Sequence, residues 1–397
     1  MCPFFVRPAG PARLAAIWLG NFTLFLSFYL LTAVFPLYAQ QRGASQAAIG
    51  VIVGSLSLFS VLVKPWAGWA ADRLGRQPVM VMGAMVFLAC SITYAWCATA
   101  AALLAVRCLH GVGMGLYPTA NAAAIVDLSP PEQRGRMLGF LGAGAQLAMA
   151  VGPIAGVGLM RHCGFRVVFA VSGLIALTVL VFVAAVGETL KERTQRPFRL
   201  ASSFRRSALF PSLISFCLLA TFGVQLAFLP IYAEARGMNP GAFFLALALV
   251  VAVVRGPGGG LSDRLGRPLV VAAGLTFAGA GLTTLALTGS LAGLLGAGLL
   301  FGLGFGSAHP ALMAWSVDGV EEGDRGRALG TYLAAFDLGF ALGAGVSGLA
   351  VASVGFRGTF LGAAVVPLAA AMLVLIRWRL TPPRDASVDL SRNGRDR

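Results

Sequence analysis

A chain of 397 residues would ordinarily make two or three soluble domains, but 58% of this one is apolar and only 11% is charged, where soluble domains are roughly a quarter charged. With a mean hydropathy of +0.82, a water-soluble globule and a disordered chain are both excluded, and a polytopic membrane protein remains. The formal net charge of +15 then has to be explained by where the basic residues lie.

Apolar runs broken by charge, Pro and Gly predict twelve spans: 13–38, 45–69, 78–97, 100–125, 136–160, 166–187, 208–232, 240–260, 268–288, 291–316, 328–352 and 358–378. Each reaches the roughly 20 residues that a crossing needs. The first is expected to be a true span rather than a cleavable signal, because it is full length and no small-residue cleavage site follows it. Helix is the expected state: a lipid-facing backbone must satisfy its own hydrogen bonds, and the runs lack the alternation of a barrel. The expected class is therefore an all-α polytopic membrane protein with twelve transmembrane helices. The cysteines, Cys2, Cys90, Cys97, Cys108, Cys163 and Cys217, form no CxxC pair and read as small packing residues.

Basic residues fall mostly in alternate loops. Arg7, Arg13, Arg73, Arg76, Arg134, Arg136, the cluster from Lys191 to Arg206, Arg264, Arg267, Arg325, Arg327 and the stretch from Arg377 to Arg397 lie on one side and hold 22 of the 30 Lys and Arg. Arg42, Arg161, Arg166, Arg236 and Arg357 lie on the other. The positive-inside bias predicts cytoplasmic N- and C-termini in an inner or plasma membrane. The charge is thus a topology signal, and no nucleic-acid partner is expected.

The segment from Gly68 through Asp72-Arg73 to Gly75-Arg76 recurs from Gly259 through Asp263-Arg264 to Gly266-Arg267, an offset of 191. The same offset maps Asp127 onto Asp318, Arg134 onto Arg325, Lys64 onto Arg255, and Gly164-Phe165-Arg166 onto Gly355-Phe356-Arg357. Pro36, Tyr38 and Arg42 match Pro230, Tyr232 and Arg236 at an offset of 194. Two parallel six-helix bundles are expected, 1–187 and 208–380, joined by a cytoplasmic loop at 188–207 and followed by a tail at 381–397. Halves related by an axis along the membrane normal can rock around a midplane cavity.

These residues resemble the major facilitator superfamily of transporters over nearly the whole chain. The GxxxDRxGR loop at Gly68–Arg76 is similar to the family's signature loop, Arg107-Cys-Leu-His-Gly111-Val-Gly113 to its RxxxGxG element, and Gly152-Pro153-Ile-Ala-Gly156 to the helix 5 motif of proton-driven antiporters. Ala148 and Val157 stand where the longer form of that motif has glycines. The resemblance implies alternating access, with export against protons as the leading expectation. An uptake symporter or facilitator and a non-transporting membrane sensor are the alternatives.

Candidate roles follow. Asp72, Arg73, Asp263 and Arg264 are expected to form a cytoplasmic gate, the carboxylates accepting from the first amides of the next helix and pairing with arginines of the facing half. On resemblance, Asp127 with Arg134 and Asp318 with Arg325 extend it. Asp337, mid-helix in span 11, costs at least about 2.5–3.5 kcal/mol in lipid and is expected to face a cavity or carry a proton; its counterpart, Gln146, cannot titrate. Arg107 lies on one helical stripe with Gly111, Met114, Pro118 and Asn121, reading either as a substrate anchor or as a tie to backbone carbonyls. His309 reads as a proton-transfer candidate or as a partner for carbonyls freed by Pro310. Lys64 and Arg255 read as snorkelling to the interface, and Glu234 as a solvated helix end. Asn21, Gln225, Phe25, Phe28, Tyr29 and Phe222 are candidates for a cavity wall suited to an amphiphile. No phosphate loop, HExxH, Ser-His-Asp order or metal-ligand cluster is present, so an enzyme is not expected, nor a metal or cofactor. A proton gradient is the expected drive, a small molecule and the bilayer the expected partners, and a monomer the expected state.

Overall fold

The computed structural model describes residues 10–194, 206–321 and 324–380, and the side chains of 255–261 and 263 lie outside that description. The side chains of Arg255 and Asp263, the linker from 195 to 205 and the tail after 380 therefore lie outside the described residues.

Every regular element among the described residues is helical: α1 (Pro11–Thr32), α2 (Phe35–Gln41), α3 (Gln46–Leu74), α4 (Arg76–Thr93), α5 (Ala100–Asp127), α6 (Arg134–Cys163), α7 (Phe165–Val186), α8 (Leu209–Glu234), α9 (Gly241–Leu265), α10 (Arg267–Leu287), α11 (Leu291–Val317) and α12 (Arg325–Leu380). Ten helical stretches in the described residues are long and apolar enough to cross a membrane. One of them, α12, holds 56 residues, a length of roughly 84 Å at 1.5 Å per residue against a hydrocarbon core of about 30 Å. Its helical conformation breaks once, at Gly355 (φ 71°, ψ 176°). That left-handed, extended geometry is open to glycine and strained for other residues, and Gly164 between α6 and α7 adopts almost the same one (φ 80°, ψ 170°).

The sequence offset extends to individual hydrogen bonds. The hydroxyl of Tyr38 donates to the Cys97 carbonyl at 3.3 Å, and that of Tyr232 donates to the Thr288 carbonyl at 2.9 Å. Thr99 caps α5 by accepting from the Ala102 amide, and Ser290 caps α11 by accepting from the Gly293 amide, both at 3.2 Å. Such caps satisfy one of the amides that a helix start leaves unpaired. Packing partners recur as well: α3 lies on α5 as α9 lies on α11, α1 on α6 as α8 on α12, and α4 on α7 as α10 on α12. Between the halves, α3 packs on α12 and α9 on α6.

Alternate connections define two faces. The basic face carries Arg13, the α3–α4 and α5–α6 turns, Arg206, Arg267 and Arg325; the opposite face carries Gly43, Gly164, Gly237 and Gly355. Toward the opposite face, α3 and α12 approach backbone to backbone. A Cβ on Gly50 would lie 2.4 Å from the Ala344 carbonyl oxygen, and one on Gly54 would lie 2.4 Å from that of Ala341. Small residues permit such contact, which is a main source of helix association where no hydrophobic drive exists.

Candidate functional site

Between the halves lies a cavity of about 270 Å³, just under the roughly 300–1,000 Å³ of pockets for drug-sized ligands. Its wall is aromatic: Phe25, Phe28 and Tyr29 come from α1, Phe222 from α8, Phe305 from α11, and Phe336 and Phe340 from α12. Met114 and Pro118 of α5 and Met149 of α6 fill between the rings, and Ser57, Ser60, Lys64, Gln146, His309 and Asp337 supply polarity.

Lys64 and Asp337 are paired, ammonium to carboxylate, across the two halves. The expectation that Lys64 snorkels to the interface is corrected: its side chain is 33% exposed and points to the carboxylate of Asp337, whose side chain is 12% exposed. The cause is energetic, since a carboxylate in a closed apolar wall is tolerated only with a counter-charge or a proton. His309 lines the same cavity, with Nδ1 2.6 Å from the Tyr332 hydroxyl and its ring stacked on Phe305. Gln146 lines the same cavity, and its Oε1 is buried without a hydrogen-bond partner.

Other expected cavity residues stand elsewhere. Asn21 donates to the Leu141 carbonyl at 2.9 Å and accepts from Asn121 at 3.3 Å, so the two asparagines tie α1, α5 and α6 together. Gln225 is fully buried, with neither amide atom partnered, and does not line the cavity. Arg107 is 3% exposed and lies 4.5 Å from the centre of the Phe35 ring, a cation–π arrangement. Its Nε and Nη1 have no hydrogen-bond partner, so they do not tie α5 to backbone carbonyls. In the helix 5 motif, a Cβ on Gly152 would meet Tyr29 Cβ at 2.6 Å, and one on Gly156 would meet the Leu30 carbonyl oxygen at 2.1 Å. The motif therefore sets the close approach of α6 to α1, the helix that presents the aromatic wall.

On the basic face, Arg76 joins Asp72 and Asp127, with Nε 2.9 Å from Asp127 Oδ2. In the other half Arg267 Nε sits 3.2 Å from Asp318 Oδ2, and Arg267 also donates to Ser262. These pairs stay within one half; the expected pairing of Asp72 with the facing half is not what its described contact shows. Nor does Asp72 cap the next helix. Glu188 accepts from the amides of Arg76 and Gln77 at the start of α4, and from those of Thr189 and Leu190. Partial burial raises its carboxyl, but these four amides outweigh it and hold Glu188 below the usual carboxylate range. Gly68, Arg73, Arg134, Arg264, Gly266 and Arg325 lie along the same face. Gly75 adopts φ 117° and a Cβ there would lie 2.2 Å from Glu188 Oε2.

The opposite face is tied across the halves. Arg161 Nη2 lies 2.8 Å from Glu234 Oε2 and donates to the Met238 carbonyl at 3.2 Å. Glu234 is thus an inter-half partner rather than the solvated end that its position in sequence implies.

The family model described as Major Facilitator Superfamily matches residues 17–256 and 244–395. The chain belongs to the Major Facilitator Superfamily. Among curated relatives, this superfamily member is 27% identical to the multidrug resistance protein MdtG of Escherichia fergusonii over 378 residues, 90% of this chain and 92% of that protein. It is 25% identical to the quinolone resistance protein NorA of Staphylococcus aureus over 174 residues, 44% of each chain, so the match spans under half the length of NorA. Among solved structures, it superposes on the human organic anion transporter MFSD10 with a TM-score of 0.68 at 21% identity, covering 92% of this chain and all of that one. The nucleoside transporter NupG gives 0.78 at 14% identity, with coverage of 92% and 100%. At these identities the structural likeness speaks for the fold. Membership makes the chain a multi-pass membrane protein of a transporter family.

Proposed function

We propose that this protein is a proton-coupled exporter of small aromatic amphiphiles, working by alternating access. Twelve crossings in two parallel six-helix units support the reading, with α9 as one crossing and α12 as two joined at Gly355. The recurring hydrogen bonds and packing partners are what a two-fold relation between residues 1–187 and 208–380 would produce. Both termini are assigned to the cytoplasm, because the basic face holds most of the Lys and Arg.

The observation that carries the function is the Lys64–Asp337 pair. It bridges the halves inside an aromatic cavity, at the place where a rocking motion would change access. Coupling requires a charge whose balance differs between loaded and empty states, and this pair supplies one. The cross-half ties on the opposite face describe a molecule shut on that side, so the cavity would load from the basic face. The names of the curated relatives, a multidrug and a quinolone resistance protein, favour outward movement of drug-sized compounds.

The test is transport by purified protein in liposomes under an imposed pH gradient, with a panel of aromatic amphiphiles. A gradient of about 1.7 pH units provides about 2.3 kcal/mol per proton, up to roughly fiftyfold accumulation. Substrate should move against protons, and Asp337→Asn should equalise concentrations while downhill movement continues at a reduced rate. Normal accumulation by that variant would overturn the assignment of coupling to this pair.

A further inference from the structure

The cavity contains an unusual balance. Among the described residues, its wall holds one cation and one anion, and each already satisfies the other. Any charged cargo must therefore break the pair and leave one member without a counter-charge in a low-dielectric space, where an isolated charge neutralises rather than persists. Which member is abandoned depends on the sign of the cargo. The wall decides the sign: the faces of phenylalanine and tyrosine rings carry negative potential, attracting cations and repelling anions. The unpartnered Oε1 of Gln146 is an acceptor, and it too welcomes a positively charged group bearing N–H.

We propose that Lys64 is the proton-carrying residue of this transporter, releasing its proton when a cationic cargo takes Asp337. The proposal rests on the transport reading above for direction only; the exchange of ions at the pair stands without it. The charges balance as follows. Before loading, the ammonium of Lys64 and the carboxylate of Asp337 sum to zero. After loading, cargo and carboxylate sum to zero, Lys64 is a neutral amine, and one proton has passed to the solvent on the loading side. On the far side the amine takes up a proton, the ammonium reclaims Asp337, and the cargo leaves. One cation has been exchanged for one proton, and a lysine suits the task because its proton is readily lost on burial whereas an arginine keeps its own.

The other groups facing Lys64 do not substitute for it. From α11 comes His309, hydrogen-bonded to Tyr332, and from α1 comes Tyr29; α5, α6 and α8 contribute apolar side chains and Gln146 to the described lining. The described ion pair of Asp337 is with Lys64.

The experiment counts protons in weakly buffered detergent solution as purified protein binds tetraphenylphosphonium, a permanent cation with no proton of its own to lose. Wild type should release close to one proton per probe bound. Lys64→Arg keeps the ion pair but cannot deprotonate, so it should release none and bind at least about tenfold more weakly. Lys64→Met leaves Asp337 without a counter-charge, so the carboxyl itself must hold the proton and give it up, restoring release to about one. Silence in the arginine variant with release in the methionine variant is a pattern that loss of folding does not produce. Release from Lys64→Arg at the wild-type level would overturn the proposal, as would no binding of the probe to wild type. If wild type binds and releases a proton yet carries no probe across liposomes, the transport reading falls while the role of Lys64 stands.

Discussion

The two faces of the molecule use charge in opposite ways. On the opposite face the ion pair Arg161–Glu234 joins one half to the other, beside the backbone contact of α3 with α12. On the basic face the described pairs, Arg76 with Asp72 and Asp127, and Arg267 with Asp318, each close within one half. The first arrangement resists separation of the halves; the second stiffens each half. Among the described residues, the first signature loop braces its own half through Arg76, and the ion pair across the halves lies where the sequence shows no motif. At the centre, Lys64–Asp337 belongs to neither face, and in the proposed cycle it is the pair that responds to what occupies the cavity.

This contrast can be broken by substitution. The largest effect is expected at the centre, where Asp337→Asn should remove uphill transport altogether, read as the loss of pH-driven accumulation in liposomes. Next comes the α3–α12 contact: Gly54→Val places methyl groups into the Ala341 carbonyl, and overpacking of about 1–3 kcal/mol should shift the closed population roughly five- to hundredfold. Accessibility of a cysteine near the top of the cavity to a membrane-impermeant thiol reagent should rise correspondingly. The Arg161–Glu234 pair is about a third exposed on each side, so removing it should cost only about 0.2–1 kcal/mol, and the charge-swapped double variant should recover most of the loss. Glu188 gives the effect that pH itself should modulate. Because its carboxyl is held below the ordinary range, its contribution to stability is fully present above that range and is lost only as acid protonates it in the folded state. Wild type should melt above Glu188→Gln by a steady margin near neutrality, and the margin should close as acid protonates the carboxyl.

Much of the fold is legible in the sequence because it depends on local quantities: run length, breakers and a repeated loop at a constant offset. The repeat even anticipates the break at Gly355, whose counterpart Gly164 lies in the matching turn. Asp337 is legible too, since a charge in mid-span has few uses. Lys64 is not, because its partner lies 273 residues away and nothing local distinguishes a lysine that reaches inward from one that reaches the interface. Asn21 and Asn121 mislead for a related reason: a polar side chain in a membrane helix serves equally well as a wall or as a tie between helices, and their separation of 100 residues hides the tie. Glu188 gives no motif, for it caps α4 from beyond the end of α7. Arg161 and Glu234 lie 73 residues apart in sequence, and what brings that end of α6 to the other half is its packing against α9, which follows Glu234.

The most direct measurement labels both faces of the molecule, one position in each half on each face. Distances between Gln41→Cys and Ser353→Cys on the opposite face, and between Leu74→Cys and Gly326→Cys on the basic face, are recorded in lipid with and without a bound aromatic cation and at two pH values. The account predicts reciprocal changes, the first pair moving apart as the second draws together. If both distances stay fixed under conditions in which solute crosses, the rocking of two halves around the Lys64–Asp337 cavity is contradicted.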